Sequence, residues 1–202
     1  MVELKYNKTQ DPCLRFTYDL KPGCGCGWDK YDFYKKWFGL LCALHLIGTK
    51  PNRRVIRNIS NCTFDIVYGF EYYNSHLDDI HEIHTSKPSR QGRPMHEAYF
   101  KYPSKKGVTN KCQYHNRHFH GIISEGKIVG YIISCRMGDI AKTITIIGHG
   151  DYLKYGMMHK LLHEVISFYG LPFVYGNWNS GVDGLRMFKY HNGFRPAQIT
   201  VA

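Results

Sequence analysis

A histidine and an aspartate stand on either side of a glycine in the segment 146–158. His149 and Asp151 flank Gly150, directly between a β-rich run and an amphipathic helical pattern. An imidazole that titrates near neutral pH, next to a carboxylate, can deprotonate an amine or order a water molecule that does so. A structural alternative stays open: His149 hydrogen-bonds its own loop, and Asp151 caps the helix that follows.

A basic loop forms a second candidate site. Arg90 and Arg93 lie on either side of a glycine in the segment 86–100. Guanidinium groups and loop N–H groups are suited to holding a phosphate. We take Ser86, Arg90, Arg93 and Arg117 as candidate phosphate ligands, and an ordinary solvated loop as the alternative. Lysines and tyrosines between residues 101 and 118 extend this basic, aromatic stretch, a mixture that can hold phosphates and stack bases.

Histidines recur at spacings that could bind a metal. His81 and His84 lie three residues apart, and His159 and His163 lie four apart, on two predicted helices. Neither pair has an obvious third ligand. We expect His159 and His163 on the solvent side of their helix, and we assign no metal site.

Three β-rich runs stand in the middle of the chain. Residues 119–124 and 127–136 are joined by Glu125-Gly126, which predicts a tight hairpin. Residues 142–148 give a third strand after a turn at Gly138-Asp139. These runs predict an antiparallel meander.

Helices and strands alternate after the meander. Apolar residues recur about every four positions between Gly156 and Gly170, which predicts an amphipathic helix. A strand at 172–177, a helix at 182–192 and a strand at 198–201 follow. The order predicts an α/β fold with a mixed central sheet flanked by helices, which changes from antiparallel to parallel pairing where the crossovers begin.

The first part of the chain is less regular. The spacing of aromatic and aliphatic residues predicts a helix over 29–47. A strand over 64–73 and a helix capped by Ser75 are expected next. We divide the chain into an N-terminal extension, 1–60, packed on the core, and a main domain, 61–202.

Composition narrows the partners and the compartment. Lys and Arg number 27 against 16 Asp and Glu, a formal net charge of +11, which favours an anionic partner such as nucleic acid, a phosphorylated cofactor or an acidic membrane surface. The seven cysteines lack the spacing of a disulfide framework, which favours a reducing compartment. The longest apolar run, Phe38–Ile47, is too short to span a bilayer. We therefore expect a cytoplasmic protein without a membrane partner.

The order of elements, with the hairpin at 121–134 and the run at 179–196, resembles the GNAT superfamily of acyl-CoA N-acyltransferases. In that family a Gly-rich turn at a helix start holds the pyrophosphate of the donor. Here Gly156 takes the place of the first glycine and Met158 that of the second. The family's usual general acid is a tyrosine, and Lys189 stands at that place with Tyr190 beside it. We expect Tyr190 to turn inward.

The resemblance implies acetyl-CoA or another acyl-CoA as donor, with an aminoacyl donor as a further possibility. It implies donor binding by Gly148, Lys154, Gly156, Met157 and Asn179, and protonation of the leaving group by Tyr190. The divergent loop and the basic charge are similar in kind to phage Mom-type proteins, which modify adenine in DNA, and to aminoacyl transferases that use charged tRNA.

The sequence therefore predicts an acyltransferase that moves an acyl or aminoacyl group to an amine, with a nucleic acid, DNA above all, as the favoured acceptor. His149 or Asp151 is the predicted base. Two alternatives stay open: a small-molecule or protein N-acetyltransferase that uses acetyl-CoA, and a non-catalytic nucleic-acid-binding module.

Overall fold

The computed structural model describes residues 2–5, 13–18, 41–90, 93–107 and 112–201. Its strands are β1 (Val2–Lys5), β2 (Cys13–Tyr18), β3 (Leu41–His45), β4 (Asp65–Tyr68), β5 (Ser89–Arg90), β6 (Arg93–Pro94), β7 (His115–Ser124), β8 (Lys127–Met137), β9 (Ile140–Gly148), β10 (Phe173–Asn177) and β11 (Arg195–Val201). Its α-helices are α1 (Arg53–Asn61), α2 (Phe70–Ser75), α3 (Leu77–Thr85), α4 (Met157–Tyr169) and α5 (Asp183–His191). Short 3-10 helices cover Glu97–Phe100 and Leu153–Tyr155.

Within these residues, nine strands form one mixed sheet in the order β1-β2-β11-β3-β10-β9-β8-β7-β4. Strands β5 and β6 pair separately. Strands β7, β8 and β9 form the predicted antiparallel meander. Glu125 and Gly126 join β7 to β8 with φ values of 51° and 78°. This left-handed pair matches the twist of a two-residue hairpin and confirms the predicted turn.

Helices cover both faces of the sheet. Along β8, Ile132 packs in the cluster that contains the buried face of α4, whereas Tyr131 and Ile133 pack with the buried residues of α2 and α3. Successive side chains of a strand point to opposite faces, so β8 contributes to two cores. The predicted mixed α/β fold, a central mixed sheet flanked by helices, is confirmed.

The predicted helix between Gly156 and Gly170 is also confirmed. Both glycines adopt left-handed backbone conformations, with φ values of 73° and 56°, and they bound α4 at its start and its end. The buried face of α4 includes Leu161, Leu162 and Val165. Burying an apolar side chain of this size contributes about 1.5–3 kcal/mol, so this face anchors the helix to the sheet.

Strands β9 and β10 diverge soon after they meet. They pair in parallel at Ala141 and Lys142 of β9. Beyond Lys142, β9 continues alongside β8, and β10 continues alongside β3. At the fork, the Thr143 hydroxyl donates to the carbonyl oxygen of Tyr175 over 2.7 Å. The β9 edge that faces β10 is therefore open from about residue 144 to Gly148.

The predicted helix over 29–47 is wrong for Leu41–His45, which form β3, and residues 29–40 lie outside the described part of the chain. Strand β3 pairs antiparallel with β10 on one side and with β11 on the other. Hydrogen bonds on both edges and burial on both faces override the helical spacing of this run. Strands β1 and β2, which pattern analysis did not predict, extend the sheet beyond β11. The domain boundary at residue 60 stays a prediction, although β3 lies inside the sheet.

The predicted strand over 64–73 is shorter in the structure. Strand β4 ends at Tyr68, and Gly69, with a φ of 91°, turns the chain into α2. Ser75 does not cap α3, because its hydroxyl donates back to the carbonyl oxygen of Glu71 over 2.9 Å. In the part of the chain that the structure describes, no helix is both long and apolar enough to cross a membrane.

Candidate active site

A cavity of about 560 Å³ occupies the gap between β9 and β10. Strand β9 supplies Ile146, Ile147 and Gly148, and β10 supplies Tyr175. Side chains from both faces of β9 border it, because the cavity follows the open edge of that strand. Helix α5 closes one side with Leu185, and the start of α4 closes another. We call this space the cleft.

Two glycines allow the start of α4 to approach β9. A Cβ added to Gly148 would lie 2.6 Å from Met157 Cε and 2.7 Å from Met158 Sδ. Gly130 allows the same approach, at 3.2 Å from Met158 Sδ. Met158 thus lines the cleft beside both glycines. Met157 is fully buried in the core, so its backbone N–H, rather than its side chain, is the group it could offer to a donor.

The N-terminus of α4 carries free donors at this place. The N–H groups of His159 and Lys160 donate to the carbonyl oxygen of Gly156. Among the described residues, no acceptor is found for the N–H groups of Met157 and Met158. Unpaired N–H groups at a helix start attract anions. Gly156 is the N-cap of α4 and does not itself line the cleft, and its role in donor binding stays a prediction.

Lysine 189 turns inward, and the expectation that Tyr190 does so is wrong. Lys189 is 0% exposed, whereas Tyr190 is 49% exposed and its ring lies 4.3 Å from the guanidinium carbon of Arg195. The ammonium group of Lys189 donates to the carbonyl oxygen of Asn177 at 2.5 Å and to the Ser180 hydroxyl at 3.2 Å. Helical periodicity places only one of two neighbours toward the sheet, and the longer aliphatic stem of lysine reaches the loop after β10.

That arrangement has an electrostatic consequence. Burial lowers the pKa of Lys189 to about 8, and the positive charge of Arg93 acts in the same direction. Through its hydrogen bonds to Asn177 and Ser180, Lys189 holds the loop after β10. It does not border the cleft. Asn179 lies in the same loop, where its N–H donates to Asn177 Oδ1 over 2.8 Å and its side chain is exposed. Neither Asn179 nor Tyr190 lines the cleft.

His149 and Asp151 border a neighbouring depression of about 470 Å³. His149 Nε2 lies 3.6 Å from Glu82 Oε1, and His149 Nδ1 accepts the N–H of Asp151 at 3.3 Å. The Asp151 carboxylate is exposed and lies 3.9 Å from the Lys87 ammonium group. The loop hydrogen bond proposed for His149 is present, but Asp151 does not cap α4, whose N-cap is Gly156. Lys154 also borders this depression. The base role of His149 or Asp151 stays a prediction.

The four predicted phosphate ligands lie in different settings. The Arg90 guanidinium group donates to Gly148 O at 2.6 Å, to Ile83 O at 2.7 Å and to Ser86 Oγ at 2.8 Å. Ser86 Oγ also accepts the N–H of Gly150. Arg90 and Ser86 thus join the end of α3 to the end of β9, and these contacts occupy the two terminal nitrogens of Arg90 and the Ser86 hydroxyl. Arg90 also lines the cleft.

Arg93 and Lys87, in contrast, are exposed, and Lys87 lines the cleft. Arg117 lies opposite Cys135 on β7 and borders neither the cleft nor the depression. The structure therefore brings Ser86 and Arg90 together and leaves Arg117 apart. Residue type alone does not show whether a serine or an arginine binds a ligand or a group of its own chain. The sequence therefore suggested the same role for all four residues.

A histidine pair that sequence analysis placed in solvent lies against the cleft wall. His159 Nδ1 and His163 Nε2 lie 3.0 Å and 3.2 Å from Asn192 Oδ1. Burial lowers the pKa of His159, and the hydrogen bond to Asn192 opposes this shift. Burial, more than the charge of His45, lowers the pKa of His163 to about 4. Their spacing of four residues was visible in the sequence, but the contact with Asn192 was not, because α5 packs beside α4 only in the fold.

Among the residues that the structure describes, no group of three or more His, Cys, Asp or Glu side chains is arranged to hold a metal ion. His84, from the first of the two predicted pairs, has its Nε2 2.7 Å from the Tyr131 hydroxyl.

No protein-family model matches the chain, and no curated protein matches it. Among solved structures, the chain is similar to the C-terminal DUF2156 domain of a lysylphosphatidylglycerol synthetase candidate from Agrobacterium fabrum, at 12% identity and a TM-score of 0.49. That match covers 78% of this chain and 58% of the other. The chain is also similar to a tandem GNAT protein of the clavulanic acid biosynthesis pathway, at 10% identity and a TM-score of 0.43, over 97% of this chain and 60% of the other. The chain thus spans about three-fifths of each of these structures.

Proposed function

We propose that this chain transfers an acyl or aminoacyl group from an activated donor to an amine bound in the cleft. The observation that carries the proposal is the fork between β9 and β10, with the unpaired start of α4 beside it. An open strand edge offers N–H and C=O groups to an extended, amide-containing donor. The helix start offers N–H groups to its phosphates. A donor held at both places has its acyl end near the fork.

An acyl-CoA fits this description, with one restriction. Its amide-containing arm would run along β9 between Ile146 and Gly148, and its pyrophosphate would meet the N–H groups of Met157 and Met158. The Met158 side chain reduces the space for a close approach of phosphate. An aminoacyl donor is therefore the second candidate, and acetyl-CoA is the first probe.

The acceptor would enter beside Lys87 and Arg93, on the α3 side. Both side chains are exposed, and the formal net charge is +11. Exposed cations at the mouth of a cleft attract an anionic acceptor. We propose a nucleic acid, with DNA favoured, whose base or sugar carries the amine. His149 and Asp151 would then border the acceptor rather than the donor.

Donor binding tests the proposal directly. Acetyl-CoA should raise the melting temperature of the full chain in a concentration-dependent way. Leu185→Trp should abolish that rise, because Leu185 lines the cleft. Met187→Trp is the matched control, because Met187 lies on the exposed side of the same helix. Melting without ligand must be recorded for both variants, so that a folding defect is recognised.

A second experiment tests the acceptor. The chain, acetyl-CoA and a DNA duplex would be incubated together, and the nucleosides would be analysed by mass spectrometry for one added acetyl group. Transfer to a polyamine or a peptide, but not to DNA, would favour the N-acetyltransferase alternative. Salt-dependent DNA binding without any donor-dependent stabilisation would favour the non-catalytic module.

A further inference from the structure

We propose that His159, held in one tautomer by Asn192, accepts the proton of the attacking amine in the cleft. This inference rests on the proposed acyl transfer. His159 belongs to the first turn of α4, but its ring lies toward the fork: it is stacked on Phe188, whose ring centroid is 6.1 Å from that of Tyr175 on β10. Asn192 is 0% exposed behind it. The assignment follows from the hydrogen bonds of the Asn192 side chain and from the chemical nature of the residues that line the cleft.

The orientation of the Asn192 amide is fixed by its own contacts. Asn192 Nδ2 lies 2.7 Å from the carbonyl oxygen of Phe188, which can only accept a hydrogen bond. The nitrogen must therefore face Phe188, and Oδ1 must face the two histidines. An amide oxygen only accepts, so His159 Nδ1 and His163 Nε2 must both carry hydrogen. Neutral His159 is then the Nδ1–H tautomer.

This tautomer leaves Nε2 of His159 with a lone pair. Among the described residues, Nε2 has no hydrogen-bond partner. It is not one of the buried unpaired atoms, so it is accessible from the cleft. The imidazole ring is stacked on Phe188, with ring centroids 4.8 Å apart and planes inclined by 25°. Stacking and the Asn192 contact together fix the ring, so the lone pair has a fixed direction.

The other polar groups of the cleft cannot take this role. Lys87 and Arg90 are cations, and burial raises the pKa of Tyr175, which keeps its hydroxyl protonated. No carboxylate lines the cleft within the described residues. Proton transfer needs a group within hydrogen-bond reach of the substrate. His159 is therefore the cleft residue best suited to accept a proton at neutral pH.

Burial is the main cause of the lowered pKa of His159, and neighbouring positive charges act in the same direction. His163 lies on the same helix. The charges of His191 on α5 and Arg54 on α1 both disfavour protonation of His159. His45 on β3 lies behind His163, with ring centroids 6.1 Å apart. A carboxylate does not figure among the groups that act on His159. Without a carboxylate partner, the imidazolium form of His159 is not stabilised, so the ring is neutral before it accepts a proton.

The amine nitrogen attacks the acyl carbon, a C–N bond forms, and the bond from that carbon to the donor sulfur or oxygen breaks. His159 Nε2 takes the proton that the nitrogen loses. The leaving group takes a proton from the resulting imidazolium or from water, which returns His159 to its neutral state. Asn192 acts as a positioning residue, because it touches only the imidazole.

The tautomer can be measured without a substrate. Long-range ¹H–¹⁵N spectra of the histidines in the full chain should show His159 as Nδ1–H and His163 as Nε2–H near pH 7. Resonances would be assigned with His159→Gln and His163→Gln. In Asn192→Leu, His159 should return to the Nε2–H form that free imidazole prefers. A His159 that is Nε2–H in the wild type overturns the inference, whether or not the chain binds a donor.

Turnover tests the role itself. With acetyl-CoA as donor and the acceptor that reacts best, His159→Gln should lower kcat about 100-fold with little change in KM for acetyl-CoA. His96→Gln is the control, because His96 is exposed and does not line the cleft. Asn192→Asp should move the acidic limb of the kcat/KM profile upward by about one pH unit, because a carboxylate stabilises the imidazolium.

The outcomes separate the two proposals. Donor binding and turnover that persist in His159→Gln would overturn the role of His159 and leave acyl transfer standing. Absence of donor binding with the expected tautomers would overturn acyl transfer and leave the Asn192 arrangement as a structural fact. A pH profile that does not move in Asn192→Asp, in a variant that melts like the wild type, would also overturn the role of His159.

Discussion

Gly156, which begins α4, lies directly against Asn58 of α1. A Cβ on Gly156 would be 2.9 Å from Asn58 Cβ and 3.0 Å from its carbonyl oxygen. Gly156 also has a φ of 73°, in the left-handed region that side chains disfavour. Both the backbone conformation and the contact with α1 therefore require glycine at the start of α4.

Gly156→Ala should lower the free energy of unfolding by about 2–4 kcal/mol, since a left-handed alanine costs about 1–2 kcal/mol and the contact with Asn58 adds to this. Urea unfolding measures the change. Gly170→Ala is the matched control: Gly170 has a φ of 56° and nothing within 4 Å of an added Cβ, so only the backbone cost applies. Equal losses in the two variants would show that the contact with Asn58 is unimportant.

Arg90 and Arg93 should differ in their contributions to stability and to anion binding. Arg90→Ala removes donors to Gly148, Ile83 and Ser86 and should destabilise the fold by about 3 kcal/mol, since hydrogen bonds from a charged group contribute about 1.5–3 kcal/mol. Thermal unfolding in the absence of ligand measures this loss.

Arg93→Ala should leave stability within about 0.5 kcal/mol, because Arg93 is exposed. If Arg93 contacts phosphate, the variant should weaken binding to a single-stranded oligonucleotide and reduce the salt dependence of that binding by about one ion. Loss of stability in Arg93→Ala, or its retention in Arg90→Ala, would contradict the division of roles between the two arginines.

Lys189 and Tyr190 provide a third contrast. Lys189→Met should destabilise the chain by about 1–3 kcal/mol, because it leaves the carbonyl oxygen of Asn177 without its donor. Tyr190→Phe should change neither stability nor turnover, because Phe keeps the ring beside Arg195 and the Tyr190 hydroxyl does not reach the cleft. Denaturant unfolding and initial rates with acetyl-CoA measure the two effects. A large loss of turnover in Tyr190→Phe would restore the family-like role of this tyrosine.

The elements that the sequence predicted correctly are those whose sequence patterns are local. The hairpin depends on Glu125-Gly126, and α4 depends on a regular apolar stripe between two glycines. Strand β3 was missed because Leu41–His45 obtain their conformation from β10 and β11, which lie far away in sequence. Non-local pairing leaves no period in a short, wholly apolar run.

The candidate site likewise contains features that are visible in a local stretch of sequence and contacts that exist only in the fold. Gly148 and Gly156 were placed correctly at the end of a strand and at the start of a helix, because both are visible in the sequence, while their role in donor binding stays a prediction. The partners of His159 were not predicted, because Asn192 reaches it only when α5 lies beside α4. The residue type of Arg90 suggested phosphate binding, which stays a prediction, whereas its contacts with the carbonyl oxygens of Gly148 and Ile83 could not be predicted from the sequence.

His120 should make the fold sensitive to acid. It is 0% exposed, both ring nitrogens lack a partner among the described residues, and burial, with a smaller effect of His118, lowers its pKa to about 3. Between pH 6.5 and pH 3 the unfolded chain binds a proton at this position and the folded chain does not. Stability therefore falls as the pH falls, by up to about 1.4 kcal/mol per pH unit from this group.

His120→Leu should remove that contribution, so the variant should gain stability relative to the wild type as the pH is lowered from 7 to 5. Urea unfolding at pH 7, 6 and 5 measures the difference. His120→Gln is the control, because it cannot titrate but keeps polar atoms in the same apolar surroundings of Tyr68 and Phe168. It should show the same reduced pH dependence at a lower overall stability. If only the leucine variant gains stability, and by the same amount at each pH, the cause is packing, and the protonation of His120 does not control acid unfolding.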